Sequence, residues 1–212
     1  MIAGGRFQPL RLLGVEPAGP RWPSLVVAGG DLVLRPPESA DYGAWRELRE
    51  SSRSFLEPWE PLWPADDLTR PAFRRRTRRY EAEIQADEAY PFFIFASGTG
   101  LLLGGLTLGN VRRGAAQSAT AGYWMGQAYA GRGIMSQALG LACRFGFQRL
   151  GLERIEAACL PGNQASIRVL EKAGFRREGF ARSFLNIAGK RQDHFLFALL
   201  ATDQPASLGT ST

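Results

Sequence analysis

Gly122-Tyr-Trp-Met-Gly-Gln-Ala-Tyr-Ala-Gly-Arg-Gly-Ile-Met-Ser-Gln-Ala-Leu139 changes character half-way along. Tyr123, Trp124 and Met125 are bulky and bracketed by Gly122 and Gly126, which predicts a strand. Gly131-Arg132-Gly133 predicts a tight turn of bare backbone. From Ile134 the apolar residues recur at helical spacing, with Met135, Ala138, Leu139, Ala142, Phe145 and Gly146 on one face. A strand, a glycine turn and a helix start together aim several unpaired N–H groups at one point, where the helix dipole adds partial positive charge. Such a point attracts a phosphate or pyrophosphate.

Three kinds of phosphate-binding turn share this outline. A P-loop requires Gly-Lys-Ser/Thr at the helix start, and Gly133-Ile134-Met135 stands there instead. A dinucleotide turn, Gly-x-Gly-x-x-Gly, needs a glycine where Ser136 stands and an acid about 20 residues on, at the end of the next strand. Glu153 comes near that spacing but at the start of the strand. The third candidate is the pyrophosphate arm of coenzyme A.

The stretch resembles the GNAT N-acetyltransferases, whose loop runs Gln/Arg-x-x-Gly-x-Gly/Ala directly into a helix. Here the loop is Ala128-Tyr129-Ala130-Gly131-Arg132-Gly133, with Ala128 in the first position and Gln127 one residue early. Within that family the chain is similar to the RimJ/RimL branch through Phe55-Leu-Glu-Pro-Trp-Glu-Pro61, Gly109-Asn-Val-Arg-Arg-Gly114, Gly122-Tyr123, Asn163 with Ser166, Gly174-Phe175, Glu178-Gly179 and Asp193-His194. The likeness runs from Asp31 to Leu200, nearly the whole chain.

The resemblance implies an α+β (α/β) GNAT fold: a twisted, mostly antiparallel mixed sheet of about seven strands with one splayed parallel pair, flanked by helices. It implies transfer of an acetyl group from acetyl-CoA to an amine by direct attack in a ternary complex. The acceptor it points to is the N-terminal α-amino group of a protein, ribosomal in this branch; a small amine such as a polyamine or an antibiotic is the alternative. The pantetheine would lie on the main chain of Trp124, Met125 and Gly126. The pyrophosphate would lie on Ala130, Gly131, Arg132, Gly133, Ile134 and Met135, with Asn163 and Ser166 near the pantetheine and sulfur. The catalytic assignments are Glu60 as base or amine anchor, Met125 N–H as oxyanion donor, Ser166 as thiolate donor and Tyr123 as an alternative acid. Capping and solvation is the plainer reading of Asn163 and Ser166.

The 212 residues suffice for one domain with a sizeable core. The expected limits are an irregular extension over 1–30, a single domain over 31–200 and a flexible tail over 201–212. A net charge of +6, carried mainly by arginine, favours anionic partners, among which coenzyme A and RNA both qualify. No apolar run has transmembrane length and no signal-peptide pattern opens the chain, so a cytoplasmic location is expected. Cys143 and Cys159 make no disulfide framework and suit buried small hydrophobes, and no Cys/His cluster suggests a metal.

Elsewhere, residues 7–13 could form an extra strand, and residues 31–35 alternate into a first strand. Ser39 or Asp41 can cap a helix bearing Ala44, Trp45 and Leu48. Residues 55–64 are aromatic and proline-rich, either stapled onto the core or walling an acceptor cleft with Glu60 facing in. A helix is predicted over 71–89; its Arg74, Arg75, Arg78 and Arg79 are a solvated face or a contact with ribosomal RNA or an acidic protein. A non-catalytic RNA- or ribosome-binding module built on that helix is the competing functional class. Residues 92–96 and 101–108 predict a hairpin whose Gly104-Gly105 hints at a bulge, 118–125 the next strand and 154–160 a strand parallel to it. Asn163 opens a short helix stopped by Gly174, and strands over 180–187 and 193–200 close the chain. His194, the single histidine, suits a structural place beside Asp193, with general base as a reserve role.

Overall fold

A core of alternating apolar residues threads eight strands into one sheet of order β1-β2-β3-β4-β5-β6-β8-β7. The computed structural model describes residues 25–203. The strands are β1 (Val27–Gly29), β2 (Leu32–Arg35), β3 (Tyr90–Ala96), β4 (Leu102–Arg112), β5 (Ser118–Met125), β6 (Arg154–Cys159), β7 (Arg176–Ile187) and β8 (Lys190–Leu200). The helices are α1 (Tyr42–Ser51), α2 (Arg53–Leu56), α3 (Arg70–Gln85), α4 (Ile134–Gln148) and α5 (Gln164–Lys172). Every neighbouring pair is antiparallel except β5 and β6, which α4 connects as a crossover.

Strand β3 shows why both faces are covered. Its run Tyr-Pro-Phe-Phe-Ile-Phe is buried throughout, as a central strand between two layers requires. Tyr90 and Phe92 meet Phe145 of α4 edge-on, with ring centroids 5.6 and 5.4 Å apart. Phe93 faces the other way and packs with Phe73 of α3, which stacks at 4.8 Å on Trp45 of α1.

The sheet has one strand more than expected, because residues 27–29 pair with β2 at its edge. Residues 7–13 and most of the expected extension and tail lie outside the described residues. Ala201–Asp203, placed in the tail by the sequence reading, forms a 3-10 turn in which Asp203 accepts from the Leu200 N–H and pairs with Arg176 at 3.0 Å. The glycine pair in β4 lies beside a register shift against β3. A Cβ on Gly104 would stand 2.4 Å from the Trp124 carbonyl oxygen, and one on Gly105 would stand 2.5 Å from the Trp124 indole nitrogen. Asp41 occupies the N-cap position of α1, but its carboxylate serves Arg35 and the Glu38 N–H instead. Residues 55–64 are more regular than their prolines suggest, because Pro58 falls in the first turn of a 3-10 helix, Glu57–Trp59, where no N–H is required.

Helix α3 starts under the Thr69 hydroxyl cap and ends at Gln85, short of the expected residue 89. Asp87 takes a left-handed conformation (φ 58°) that breaks the helix. Its carboxylate accepts from Arg113 Nε and Nη2 and from the Tyr90 hydroxyl, each at 2.6 Å. The Arg113 hydrogen bonds hold the Asp87 carboxyl below its ordinary value. The stability this contact supplies is therefore complete above the unfolded-state pKa and is lost as pH falls through the lower folded value. Asp87→Asn, which tolerates the same backbone, is expected to cost about 1 kcal/mol at pH 7. In urea unfolding the gap between variant and parent should close as pH falls below about 3.9.

Candidate active site

Strands β5 and β6 pair only over Ser118↔Arg154, Ala119↔Ile155 and Thr120↔Glu156. Beyond Thr120 each keeps its outer partner: β5 stays on β4 as far as Gly104↔Met125, and β6 stays on β8 as far as Cys159↔Phe195. A wedge opens between residues 121–125 and 157–159. The Gly126 N–H donates to the Leu103 carbonyl at 2.9 Å. In an antiparallel ladder that bond makes Gly104 and Met125 a pair that exchanges no hydrogen bonds, so the Met125 N–H and C=O turn away from β4 into the wedge. By the same alternation Tyr123 faces the wedge and Trp124 faces β4. The expected cradle of Trp124, Met125 and Gly126 thus reduces to Met125, with Tyr123 added. Gly126 is spent on both sides, since its C=O also accepts from the Tyr129 N–H.

At the mouth of the wedge, a 3-10 turn over Gln127–Tyr129 leads into the glycine turn. The Ala130 N–H bends back to the Gln127 carbonyl and is not offered outward. Gly131 (φ 75°) and Gly133 (φ 78°) both take the left-handed conformation that disfavours other residues. A Cβ at Gly131 would meet nothing within 4 Å, so the turn is open to a guest. Gly133 is the N-cap of α4, and the Gln137 N–H closes the first turn onto its carbonyl. The amides of Ile134, Met135 and Ser136 have no intrahelical acceptor. Exposed Arg132 stands between the two glycines. Lys172, the last residue of α5, brings its ammonium to 3.9 Å from where a Gly133 Cβ would be. Sequence reasoning missed it, because only the packing of α5 beside α4 places this lysine over the turn.

Deeper in the wedge, the Tyr123 hydroxyl and Ser166 Oγ lie 2.8 Å apart. Burial raises the Tyr123 phenol well above its ordinary value, so it keeps its proton at neutral pH. Asn163 caps α5, its Oδ1 accepting from the Ser166 N–H at 3.0 Å, which is the plainer of its two expected roles. Cys159 is buried, and burial pushes its thiol up to about 11. Buried Cys143 fills the core under α4.

On the opposite face of the sheet, Glu60 accepts from both Nη atoms of Arg49, at 2.8 and 2.7 Å, and from Trp63 Nε1 at 2.7 Å. Arg49 is 6% exposed, and its guanidinium lies 4.0 Å from the Trp63 ring centroid and 5.0 Å from that of Trp124. Its Nε has no hydrogen-bond partner among the described residues. Glu60 is thus one guanidinium away from the strand that borders the wedge. Its carbonyl accepts from the Ala188 N–H, tying the loop to the β7–β8 turn. Buried Ser52, between α1 and α2, accepts from the Gln127 N–H at 2.9 Å and joins this side to the coenzyme-side turn. Arg49 and Ser52 also escaped the sequence reading, since neither belongs to a recognisable motif. His194 is 2% exposed, with Nδ1 3.0 Å from the Gln192 carbonyl and its ring against Phe184. Asp193 accepts from the N–H of Ser183 in the β7 bulge, so the pair has the structural place expected.

An opened parallel pair with a glycine turn at its mouth suits a pantetheine and its diphosphate, and the family comparison agrees. Residues 31–176 match the family model "Acetyltransferase (GNAT) domain". The chain belongs to the GNAT acetyltransferase family. It is 37% identical over 178 residues to "Probable N-acetyltransferase YjcK" of Bacillus subtilis, covering 84% of this chain and 98% of that one. It is 32% identical over 165 residues to the [ribosomal protein uS5]-alanine N-acetyltransferase of Escherichia coli, covering 77% and 85%. The solved structure of Mycobacterium smegmatis RimJ in complex with CoA-disulfide superposes with a TM-score of 0.79 at 35% identity, covering 83% of this chain and 85% of that one. This GNAT enzyme is therefore an acetyl-CoA-dependent N-acetyltransferase of the RimJ/RimL branch. Among the described residues no group of His, Cys, Asp and Glu could hold a metal, and no helix is long and apolar enough to cross a membrane.

Gly133→Val is expected to weaken coenzyme A binding at least about tenfold, since it puts a β-branched residue at a left-handed position under the diphosphate. Lys172→Gln should weaken binding less, with a deficit that shrinks as salt screens the parent's charge. Titration calorimetry with coenzyme A reads both effects, and unchanged affinities would place the diphosphate elsewhere.

Proposed function

We propose that this enzyme acetylates the N-terminal α-amino group of a ribosomal protein in the cytoplasm, as its Escherichia coli relative does for uS5 by name. The observation that carries the reading is the placement of the Glu60 carboxyl group across β5 from the wedge, linked to it through Arg49 and Trp124. A carboxylate offers about four lone-pair directions. Arg49 and Trp63 take three, two of them on Oε2, which leaves Oε1 one position for an incoming N–H. Of the two roles expected for Glu60, amine anchor therefore fits better than base, and the amine sheds its proton to water.

Acetyl-CoA, when bound, supplies the acetyl thioester. The Met125 N–H, turned into the wedge, stabilises negative charge developing on an acyl oxygen. Tyr123, kept protonated by burial, touches Ser166 Oγ, and that hydroxyl pair offers a hydrogen bond that stabilises a departing thiolate, which then takes its proton from solvent. The Ile134, Met135 and Ser136 amides with Lys172 hold the diphosphate.

A peptide beginning with alanine, of ribosomal-protein sequence, should release thiol from acetyl-CoA with the enzyme, while polyamines and aminoglycosides should release little. The reverse order would make the acceptor a small amine. Removing Glu60 alone leaves the buried Arg49 charge without its partner and should cost about 3 kcal/mol of stability. The pair Arg49→Met with Glu60→Gln should recover much of that loss. Turnover should remain low in the pair, with KM for the acceptor raised and KM for acetyl-CoA unchanged. A fully active double variant would remove Glu60 from the mechanism.

A further inference from the structure

Helix α3 bears Arg70, Arg74, Arg75, Arg76, Arg78 and Arg79. The structure sorts them. Arg75 pairs with Asp66 at 2.5 Å, Arg76 with Asp67 at 2.6 Å and Arg79 with Glu83 at 3.3 Å. Arg76 also lies over Trp45, and Arg70 over Tyr42. Arg74 and Arg78 have no carboxylate partner among the described residues. Both are exposed. One helical turn apart, they lie on the same face, where two like charges repel each other.

These two arginines line a cleft of about 240 Å³ with Ser39, Thr77 and Glu81. Ser39 brings a hydroxyl from the 3-10 turn Ser39–Asp41, whose own acid, Asp41, is occupied by Arg35 and the Glu38 N–H. The Thr77 hydroxyl donates to the Arg74 carbonyl, which leaves its lone pairs unused. Glu81 lines the cleft beside the two arginines. The cleft belongs to the acceptor-facing side of the sheet: α3 packs through Phe73 on Trp45 of α1, and α1 carries Arg49 one turn further on.

We propose that Arg74 and Arg78, with the Ser39 hydroxyl, form a phosphate-binding cleft that docks the enzyme on an RNA backbone beside its acceptor. This rests on the reading that the acceptor is a ribosomal protein, which is presented among RNA phosphates. Guanidinium forks match phosphate oxygens two at a time. The cleft has no aromatic platform for bases, so it reads backbone rather than sequence. The net charge of +6 acts in the same direction.

The test uses the full chain, a short labelled RNA hairpin and fluorescence anisotropy over a salt series. In R74A/R78A, RNA affinity should fall several-fold at low salt. The slope of log affinity against log salt should become shallower by about 1.4 to 1.8, the release expected for two lost phosphate contacts. R75A/R79A should move the slope much less. Acetylation of a free alanine-starting peptide should be unchanged in R74A/R78A, while acetylation of ribosome-bound acceptor should fall. An unaltered RNA affinity and salt slope would overturn the proposal, as would equal displacement of RNA by a polyglutamate peptide, which would assign the cleft to an acidic protein. If the parent fails to acetylate the free peptide yet the RNA slope shifts as stated, the acceptor reading fails and the cleft stands.

Discussion

Two strands that cannot both keep their partners set the terms for this molecule. β5 is held by β4 and β6 by β8, and each ladder runs past the point where β5 and β6 cease to touch. The parting leaves main-chain groups of Tyr123 and Met125 facing open space rather than a neighbouring strand. Unpaired backbone of this kind is costly inside a protein unless something supplies amides in return. The crossover helix α4 begins beyond the unpaired end of β5, which brings its unpaired first turn and the free strand edge to the same end of the sheet. In the coenzyme placement proposed above, this topology sets the order along the site: diphosphate at the glycine turn, amides along Met125, sulfur toward Tyr123 and Ser166.

The side proposed for the acceptor is built by different means. The loop after α2 has little regular structure, yet it is held by a guanidinium clamped between two indoles, a bidentate ion pair and a main-chain bond to the β7–β8 turn. A buried ion pair contributes little net stability once desolvation is counted. What Arg49 and Glu60 supply is position: one carboxylate oriented by three donors, on a wall whose prolines lower the entropy lost in holding it. Leu62, 71% exposed, marks where that wall meets solvent, beside Gly189.

The legible parts of the sequence were the local ones. Gly131 and Gly133 announced the turn because few other residues take their conformation, and Asn163 announced a cap because Ser166 follows at capping distance. The RimJ/RimL motifs named the family and fold, and comparison with known proteins agreed. Period two could have shown that Trp124 faces away from Met125's side, but the motif carried three consecutive residues together. Arg49 and Glu60 lie eleven positions apart across a kinked helix pair, and no spacing rule joins them. Lys172 reaches the glycine turn only through helix packing. The arginine run read as one charged face because its acids, Asp66 and Asp67, stand nine positions upstream and come back through a loop.

Gly104 and Gly105 have no room for a single carbon, since the Trp124 carbonyl and indole already fill it. This part of β4 is closed to substitution, and the indole laid over it is closed with it. Under the proposed acceptor placement, substitutions that retune which amine is accepted fall instead in the proline-rich loop and the last hairpin, two surface segments fastened to each other at Glu60 and Ala188. Divergent descendants of such a chain can exchange clientele by rewriting those two segments while the donor half of the molecule stays as it is.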